Sequence, residues 1–357
     1  MVSLLVAMRD EEAHIRATLE SIFAQDYPSD RLEVRVYDGD STDRSREIAE
    51  AACAGRPLAS VSRNPRITQA AGWNLGIDES IGEILGIVSA HCELAPDYVA
   101  TAVETLERTG ADMVGGLMRA AGEGNLGEAV AIATSTPFGV GNARFHFTAV
   151  EEEVDTVYMG VCRRRTYQRL HFDEEMVRDQ DDEFSYRLLD EGGRIVCNPA
   201  IRSSYWSRAT FRSLWKQYYR YGFWKVRVMQ KHPDQVRARQ LVPPIFVAAL
   251  AGSALFAPVS VAGRVSLVGL LAAYGTANLA ASLAAGRSEP RLIPYLAVTY
   301  ATLHVAYGSG YLAGLRHFRQ GFGSIKHPRP SAIPSPTGGE PGHRRDHVRG
   351  SYRREEM

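Results

Sequence analysis

The chain has no surplus of charge of either sign: 41 Lys+Arg stand against 41 Asp+Glu, so the formal net charge is zero. A general nucleic-acid-binding surface relies on an excess of basic groups facing phosphate, so no nucleic-acid partner is expected. Cysteine is scarce. Cys53, Cys92, Cys162 and Cys197 stand far apart with no C-x-x-C spacing, which argues against a disulfide framework or a zinc site and fits a reducing compartment. No G-x-G-x-x-G follows the first apolar run, so a dinucleotide site is not favoured, and no Walker A sequence is present. The apolar run at residues 2–7 is too short for a signal sequence and has no basic leader. What is present is ordinary for a globular chain, with 45% hydrophobic and 23% charged residues. At 357 residues, two or three structural units are expected.

The mean hydropathy of −0.20 conceals three unlike parts. Residues 1–233 mix charge with apolar positions, 241–315 are apolar and rich in small residues, and 316–357 are basic and proline-rich. Within the first part, short apolar runs alternate with helical patterns. Residues 2–7 form a strand, and Ile15, Leu19, Ile22 and Phe23 then fall on one helical face, with acids at the front end where they complement the helix dipole. A second strand over 32–37 runs into the polar turn 38–43, a second helix covers 44–54, and a buried strand recurs at 84–88. Such alternation implies a parallel α/β sheet, whose ligands bind beyond the carboxyl ends of the strands. Arg9 to Glu11, Asp38, and Ser89 to His91 all lie at such ends. By itself this pattern points to a nucleotide or phosphate ligand and names no reaction.

The motifs in their order do carry a resemblance. They are RDEE at 9–12, YDGDSTD at 37–43, NPR at 64–66, QAAGWNLGI at 69–77 and SAH at 89–91. RTGADMVGG at 108–116, VDTVYMG at 154–160, VRDQDDEF at 177–184 and QYYRYGFW at 217–224 complete the set. Together they resemble family 2 glycosyltransferases of GT-A fold, a Rossmann-like, mainly parallel sheet. They are most similar to the branch typified by succinoglycan biosynthesis, which builds bacterial exopolysaccharide on a lipid carrier. The resemblance implies a nucleotide-sugar-binding half over 1–118 and an acceptor half over 119–233.

It also implies roles for individual residues. Glu11, Asp38, Arg66, Ser89 and His91 would face the donor, a nucleoside diphosphate sugar, with Asp38 on the base and Arg66 on the diphosphate, whose charge a guanidinium offsets. The alternative for Asp38 is a turn in which its carboxylate bonds its own backbone. Asp181 matches the aspartate of the family's Glu-Asp pair and would take the proton of the acceptor hydroxyl in an inverting transfer. Repulsion within the cluster Asp179, Asp181, Asp182 and Glu183 would raise the pKa of one member. Gln217, Arg220 and Trp224 match the family's acceptor motif, with Tyr221 in the place next to the arginine. These aromatics equally suit a membrane-interface belt.

Several positions depart from the branch: Ser89 stands in place of an aspartate, Gln180 in place of a glutamate, and Tyr158 and Met159 in place of a pair of histidines. A hydroxyl lacks the negative charge that a hard cation prefers, so a divalent cation, Mn²⁺ or Mg²⁺, would rest on His91. The departure at Ser89 motivates an alternative, a catalytically weak or inactive relative that binds a nucleotide sugar or glycan as an assembly partner.

Residues 241–263, 265–285 and 292–315 are each long enough to cross a hydrocarbon core of about 20 residues, and none contains Lys, Arg, Asp or Glu. Transmembrane helices are therefore expected over 241–315. Lys231, Arg237 and Arg239 before them and the basic tail after them both favour the cytoplasmic side. An even number of crossings satisfies both flanks, although three runs are visible. The expected protein is a multi-pass cell-membrane glycosyltransferase with a cytoplasmic catalytic domain and a lipid-linked or polysaccharide acceptor, ending in a tail of disorder-prone composition.

Overall fold

A computed structural model describes residues 1–141, 143–207 and 210–319. From residue 320 onward, the basic tail lies outside the described residues. In chain order the first elements are β1 (Val2–Met8), α1 (Ile15–Phe23), β2 (Leu32–Asp38), α2 (Ser45–Cys53), β3 (Ala59–Arg63), α3 (Gln69–Glu79) and β4 (Ile84–Ser89). Next come β5 (Cys92–Leu94), α4 (Tyr98–Thr109), β6 (Met113–Ala121), α5 (Gly124–Thr134), α6 (Pro137–Val140) and β7 (Glu152–Glu153). They are followed by β8 (Tyr158–Arg163), α7 (Arg164–Leu170), α8 (Gln180–Asp190), β9 (Ile195–Trp206) and α9 (Phe211–Lys231). Three long helices close the described chain: α10 (Ala238–Phe256), α11 (Val261–Ala285) and α12 (Ile293–His317).

The strands make one sheet in the order β3-β2-β1-β4-β8-β6-β9-β5, with β7 beside β9. The four strands β3, β2, β1 and β4 run parallel, whereas β8 is antiparallel to both β4 and β6. Side chains of a strand alternate between faces, and β1 shows why the first run had to be apolar throughout. Val2, Leu4, Val6 and Met8 enter a core with Ile15 and Leu19 of α1 and Leu106 of α4. Leu5 and Ala7 enter a second core on the opposite face, with Trp73 and Ile77 of α3 and Phe184 of α8. The expected α/β class and GT-A architecture are what the chain adopts.

The apolar part divides. Among the described residues, α10 and α11 are long and apolar enough to cross a membrane, by length and composition, and little of either is buried. The third run, 292–315, becomes α12, which is not such a helix and instead packs into the protein. Leu296, Tyr300 and Leu303 bury against Ala129, Val130 and Ala133 of α5 and Leu214 of α9. Its far half lies backbone to backbone on α9. A Cβ on Gly310 would stand 1.9 Å from the Tyr219 carbonyl oxygen, and one on Gly222 would stand 2.0 Å from that of Tyr307. Only glycine permits that approach. Three similar runs thus give two candidate spans and one helix of the folded body.

Candidate active site

The loops after β1, β2 and β4 meet at the carboxyl ends of their strands, and their backbones are laced together. The Glu11 amide donates to Ser45 Oγ (2.6 Å), and the Thr42 amide donates to Asp10 Oδ1 (2.7 Å). Asp38 Oδ1 accepts from the Ser41 hydroxyl (2.5 Å) and the Ser41 amide (3.2 Å), closing a turn on its own backbone. Gly39 lets this turn touch the next loop, because a Cβ there would lie 2.6 Å from the Ile67 carbonyl oxygen. Asp40 pairs with Arg63, and Asp43 accepts from the Ser45 and Glu12 amides.

A cavity of about 990 Å³ opens at these strand ends. Glu11, Ser89, His91, Asp181 and Gln217 line it together, so the structure gathers five of the sequence-derived site residues. The others stand apart from its wall. Asp38 is buried in its turn, and Arg66 reaches Glu174 (2.8 Å), tying the loop before α3 to the segment before α8. Trp224 packs beside Met176, Tyr186 and Val228, and its ring meets that of Phe318 at 5.6 Å. Arg220 lies close enough to Arg178, which does line the cavity, to feel its charge.

His91 is held at both ring nitrogens. Its Nδ1 lies 2.9 Å from Glu11 Oε1 and its Nε2 lies 3.2 Å from Ser89 Oγ. In the neutral ring, Nδ1–H donating to the carboxylate leaves the Nε2 lone pair to accept from the serine hydroxyl. A carboxylate behind a histidine in this way also prepares the other nitrogen for a cation. Among the described residues, no group of three His, Cys, Asp or Glu could hold a metal by protein ligands alone. A divalent ion bound here would have one protein nitrogen, His91 Nε2, which would exchange the Ser89 hydroxyl for the ion while Glu11 holds the ring from behind.

The acid cluster starts α8. Asp179 precedes the helix in a left-handed conformation (φ 59°), and Asp181, Asp182 and Glu183 occupy the first turn, where the dipole favours anions. Gln180, in the place of the family's glutamate, donates to the Val177 carbonyl (2.9 Å), a bond a carboxylate could not make. Glu183 turns inward to Arg187 and His232 and serves the core. The remaining three acids face the cavity.

Those three acids differ. Burial, more than repulsion from Asp182, pushes Asp181 up to about 6, and Asp181 Oδ1 accepts from the Asp182 amide (3.0 Å). Burial also pushes Asp179 up to about 7, partly offset by Lys225. Burial opposes the charge on Asp182 as well, but its contact with the Lys225 ammonium outweighs this and lowers its pKa.

Sequence reasoning missed Lys225. It lies eight residues after Gln217 on the stripe of α9 that faces the cavity, Leu214, Gln217, Tyr218, Tyr221 and Lys225. That helical spacing was the available signal. Also missed were three buried polar atoms in the cavity wall that have no hydrogen-bond partner among the described residues: Trp73 Nε1, His146 Nδ1 and Asp179 Oδ2. Buried polar groups are nearly always paired, so three in one wall call for water or a polar ligand in the cavity. No sequence pattern distinguishes them, because their isolation arises from strands and helices far apart in the chain.

The same cavity has an apolar side. Phe138 of α6, Val242, Pro243 and Phe246 of α10, Tyr274 of α11 and Leu303 of α12 line it, so the space beside Asp181 continues to both candidate membrane helices.

Comparison with known proteins agrees with the fold. Residues 3–173 match the family model Glycosyl transferase family 2. The chain is 29% identical over 324 residues to succinoglycan biosynthesis protein ExoA of Rhizobium meliloti, covering 89% of this chain and 96% of that one. It is 27% identical over 239 residues to dolichyl N-acetyl-alpha-D-glucosaminyl phosphate 3-beta-D-2,3-diacetamido-2,3-dideoxy-beta-D-glucuronosyltransferase of Methanococcus voltae, covering 64% of this chain and 74% of that one. Among solved structures, a mannosyltransferase of Pyrobaculum calidifontis in complex with GDP-Man and Mn²⁺ superposes with a TM-score of 0.57. It is 22% identical and covers 88% of this chain and 86% of that one, a likeness of fold. Residues 3–173 therefore match a family 2 glycosyltransferase domain on a GT-A sheet, and the chain is a glycosyltransferase.

Proposed function

We propose that this glycosyltransferase moves a sugar from a nucleoside diphosphate sugar to a lipid-linked acceptor, with inversion, in exopolysaccharide or cell-envelope glycan synthesis. The observation that carries the reading is the continuity of one cavity. It runs from Asp181 and the unpartnered polar atoms to the apolar residues of α10, α11 and α12. A polar donor and a sugar suit the first end, and a lipid chain suits the second. The Methanococcus voltae relative is named for transfer to a dolichyl phosphate-linked sugar, and the Rhizobium meliloti relative for succinoglycan biosynthesis, which supports this acceptor class.

In the proposed step, the acceptor hydroxyl loses its proton to Asp181 and its oxygen bonds to the anomeric carbon. The bond from that carbon to the diphosphate breaks on the opposite face, and the nucleoside diphosphate leaves. A carboxylate raised to about 6 remains ionised at neutral pH yet is basic enough to hold that proton. Glu11, Ser89 and His91, with the turn of Asp38 and the loop of Arg66 behind them, form the donor side. Gln217 forms the acceptor side, where its amide already bonds the Tyr205 and Tyr221 hydroxyls (2.9 and 3.0 Å), and Arg220 and Trp224 shape α9 behind it. A divalent ion on His91 would supply positive charge for the leaving diphosphate.

α10 and α11 form the membrane anchor in this reading. Two crossings return the chain to the side from which it started, consistent with Lys231 and Arg237 before them, Arg239 in the first turn of α10, and the basic tail after. The test uses the full chain in detergent with labelled donors and a polyprenyl phosphate-linked sugar. The expected product is label in the organic phase, with inverted anomeric configuration and one nucleoside diphosphate released per transfer. Label found only on water-soluble glycan, or release of a nucleoside monophosphate, would reject this acceptor or this reaction.

A further inference from the structure

Two of the acids at the start of α8, Asp179 and Asp182, are gripped by a cation from another helix. Lys225 is only 7% exposed and reaches out of α9 between two carboxylates. Its Nζ contacts Asp182 Oδ2 and lies 3.5 Å from Asp179 Oδ1. No such contact reaches Asp181, whose Oδ1 is turned to the Asp182 backbone amide. An ammonium this deeply buried is costly unless paired, and here it is paired twice.

We propose that Lys225 is the positioning residue of the acid cluster. It clamps Asp182 and Asp179 and leaves Asp181 as the carboxylate available to the acceptor. The inference rests on the reading of Asp181 as the base. Like charges this close raise one another's pKa, and a cation between them relieves that repulsion. Lys225 neutralises one of them, fixes where the start of α8 sits relative to α9, and holds Asp181 lower on the pH scale than two uncompensated neighbours would. Burial opposes the lysine's charge, but Asp179 and Asp182 outweigh it and raise its pKa, while Lys225 in turn lowers that of Asp182, so the grip on Asp182 persists across the working pH range. The other titratable and charged groups around the cluster are Arg178, Tyr186, Tyr221, Tyr307 and the pair Arg239 and Asp155. Arg239 pairs with Asp155, and among the described residues Lys225 is the cation within ion-pair distance of Asp179 and Asp182.

The experiment is the pH dependence of kcat/KM of the full chain in detergent, for wild type, Lys225→Met, Lys225→Arg, Asp182→Asn and the double variant Asp182→Asn/Lys225→Met. Removing the ammonium should move the acidic limb upward by about one pH unit, because an adjacent opposite charge shifts a carboxylate by that order. Lys225→Arg should keep the wild-type limb. The double variant should show the same upward displacement relative to Asp182→Asn. That comparison still reads the lysine if Lys225→Met alone cannot be purified folded. A purely structural lysine would lower turnover without moving the limb, and an unmoved limb in both backgrounds overturns the proposal. Asp181→Asn, measured alongside, separates the two ideas: turnover above about a tenth of wild type removes Asp181 as base whatever Lys225 does.

Discussion

At one end of the cavity, four ionisable groups, Asp179, Asp181, Asp182 and Lys225, crowd around the start of α8. At the other end, Phe138, Val242, Phe246 and Leu303 offer no charge at all. α9 joins the two. One of its faces carries Lys225 to the acids, and another brings Gly222 against the backbone of α12. The charged end is costly to bury and is stabilised only by pairing, so its behaviour depends on pH and on each partner. The apolar end is set by shape, and its tolerance depends on volume. Chemistry should therefore fail first at one end and folding at the other.

Asp181→Asn should break the charged end alone. The amide keeps the shape but cannot take a proton, so kcat is expected to fall by about 10²–10⁴-fold while donor affinity changes little. Nucleoside diphosphate release set beside donor titration measures both, and a variant with above about a tenth of wild-type turnover would not fit. Gly310→Leu should do the reverse. A side chain there meets the Tyr219 backbone, so a loss of about 3 kcal/mol or more is expected as a lower thermal midpoint in detergent. An unchanged midpoint would mean that α9 and α12 do not approach as closely as they do here.

Acid should also act on the charged end only. With Asp181 raised to about 6, the base is ionised above that pH and protonated below it. kcat/KM should therefore be level above about 7 and fall roughly tenfold per pH unit below 6. A limb near the ordinary carboxylate range, close to 4, would show that burial is not felt. The smallest effect is expected outside the cavity. Leu271→Ala on the exposed face of α11 should change stability by less than about 0.5 kcal/mol, whereas Leu303→Ala on buried α12 should cost about 2–5 kcal/mol. Equal losses would erase the difference between a candidate span and a core helix.

Residues 241–315 teach the same lesson about sequence. All three runs pass a count of apolar residues, but Tyr300 and Leu303 face α5, and Gly310 and Gly314 face α9. The glycines record that close approach in the sequence, although which helix they meet cannot be found from them. A fragment ending at residue 233 would likewise lose α12 and leave the glycine face of α9 uncovered. The acid cluster shows the opposite pattern. Its position and its perturbed pKa were legible in VRDQDDEF, but repulsion was expected as the cause, and burial is the larger one. Burial is a property of what surrounds the helix, and the helix's own sequence does not contain it.

By itself the sequence determined the alternation of strands and helices, the loops at the strand ends with Glu11, Asp38 and His91, and the candidate base Asp181. Period, turn chemistry and motif order are local and survive without a fold. Only the tertiary structure decided the rest. It set Asp38 and Arg66 behind the cavity wall, gave His91 both Glu11 and Ser89, and sent α12 into the body while α10 and α11 remained exposed. It also placed Lys225, more than forty residues from Asp182, in contact with it. Each of these depends on which distant surfaces meet, and a meeting of that kind is fixed by packing and by the cost of burying charge, neither of which any single stretch of the chain carries alone.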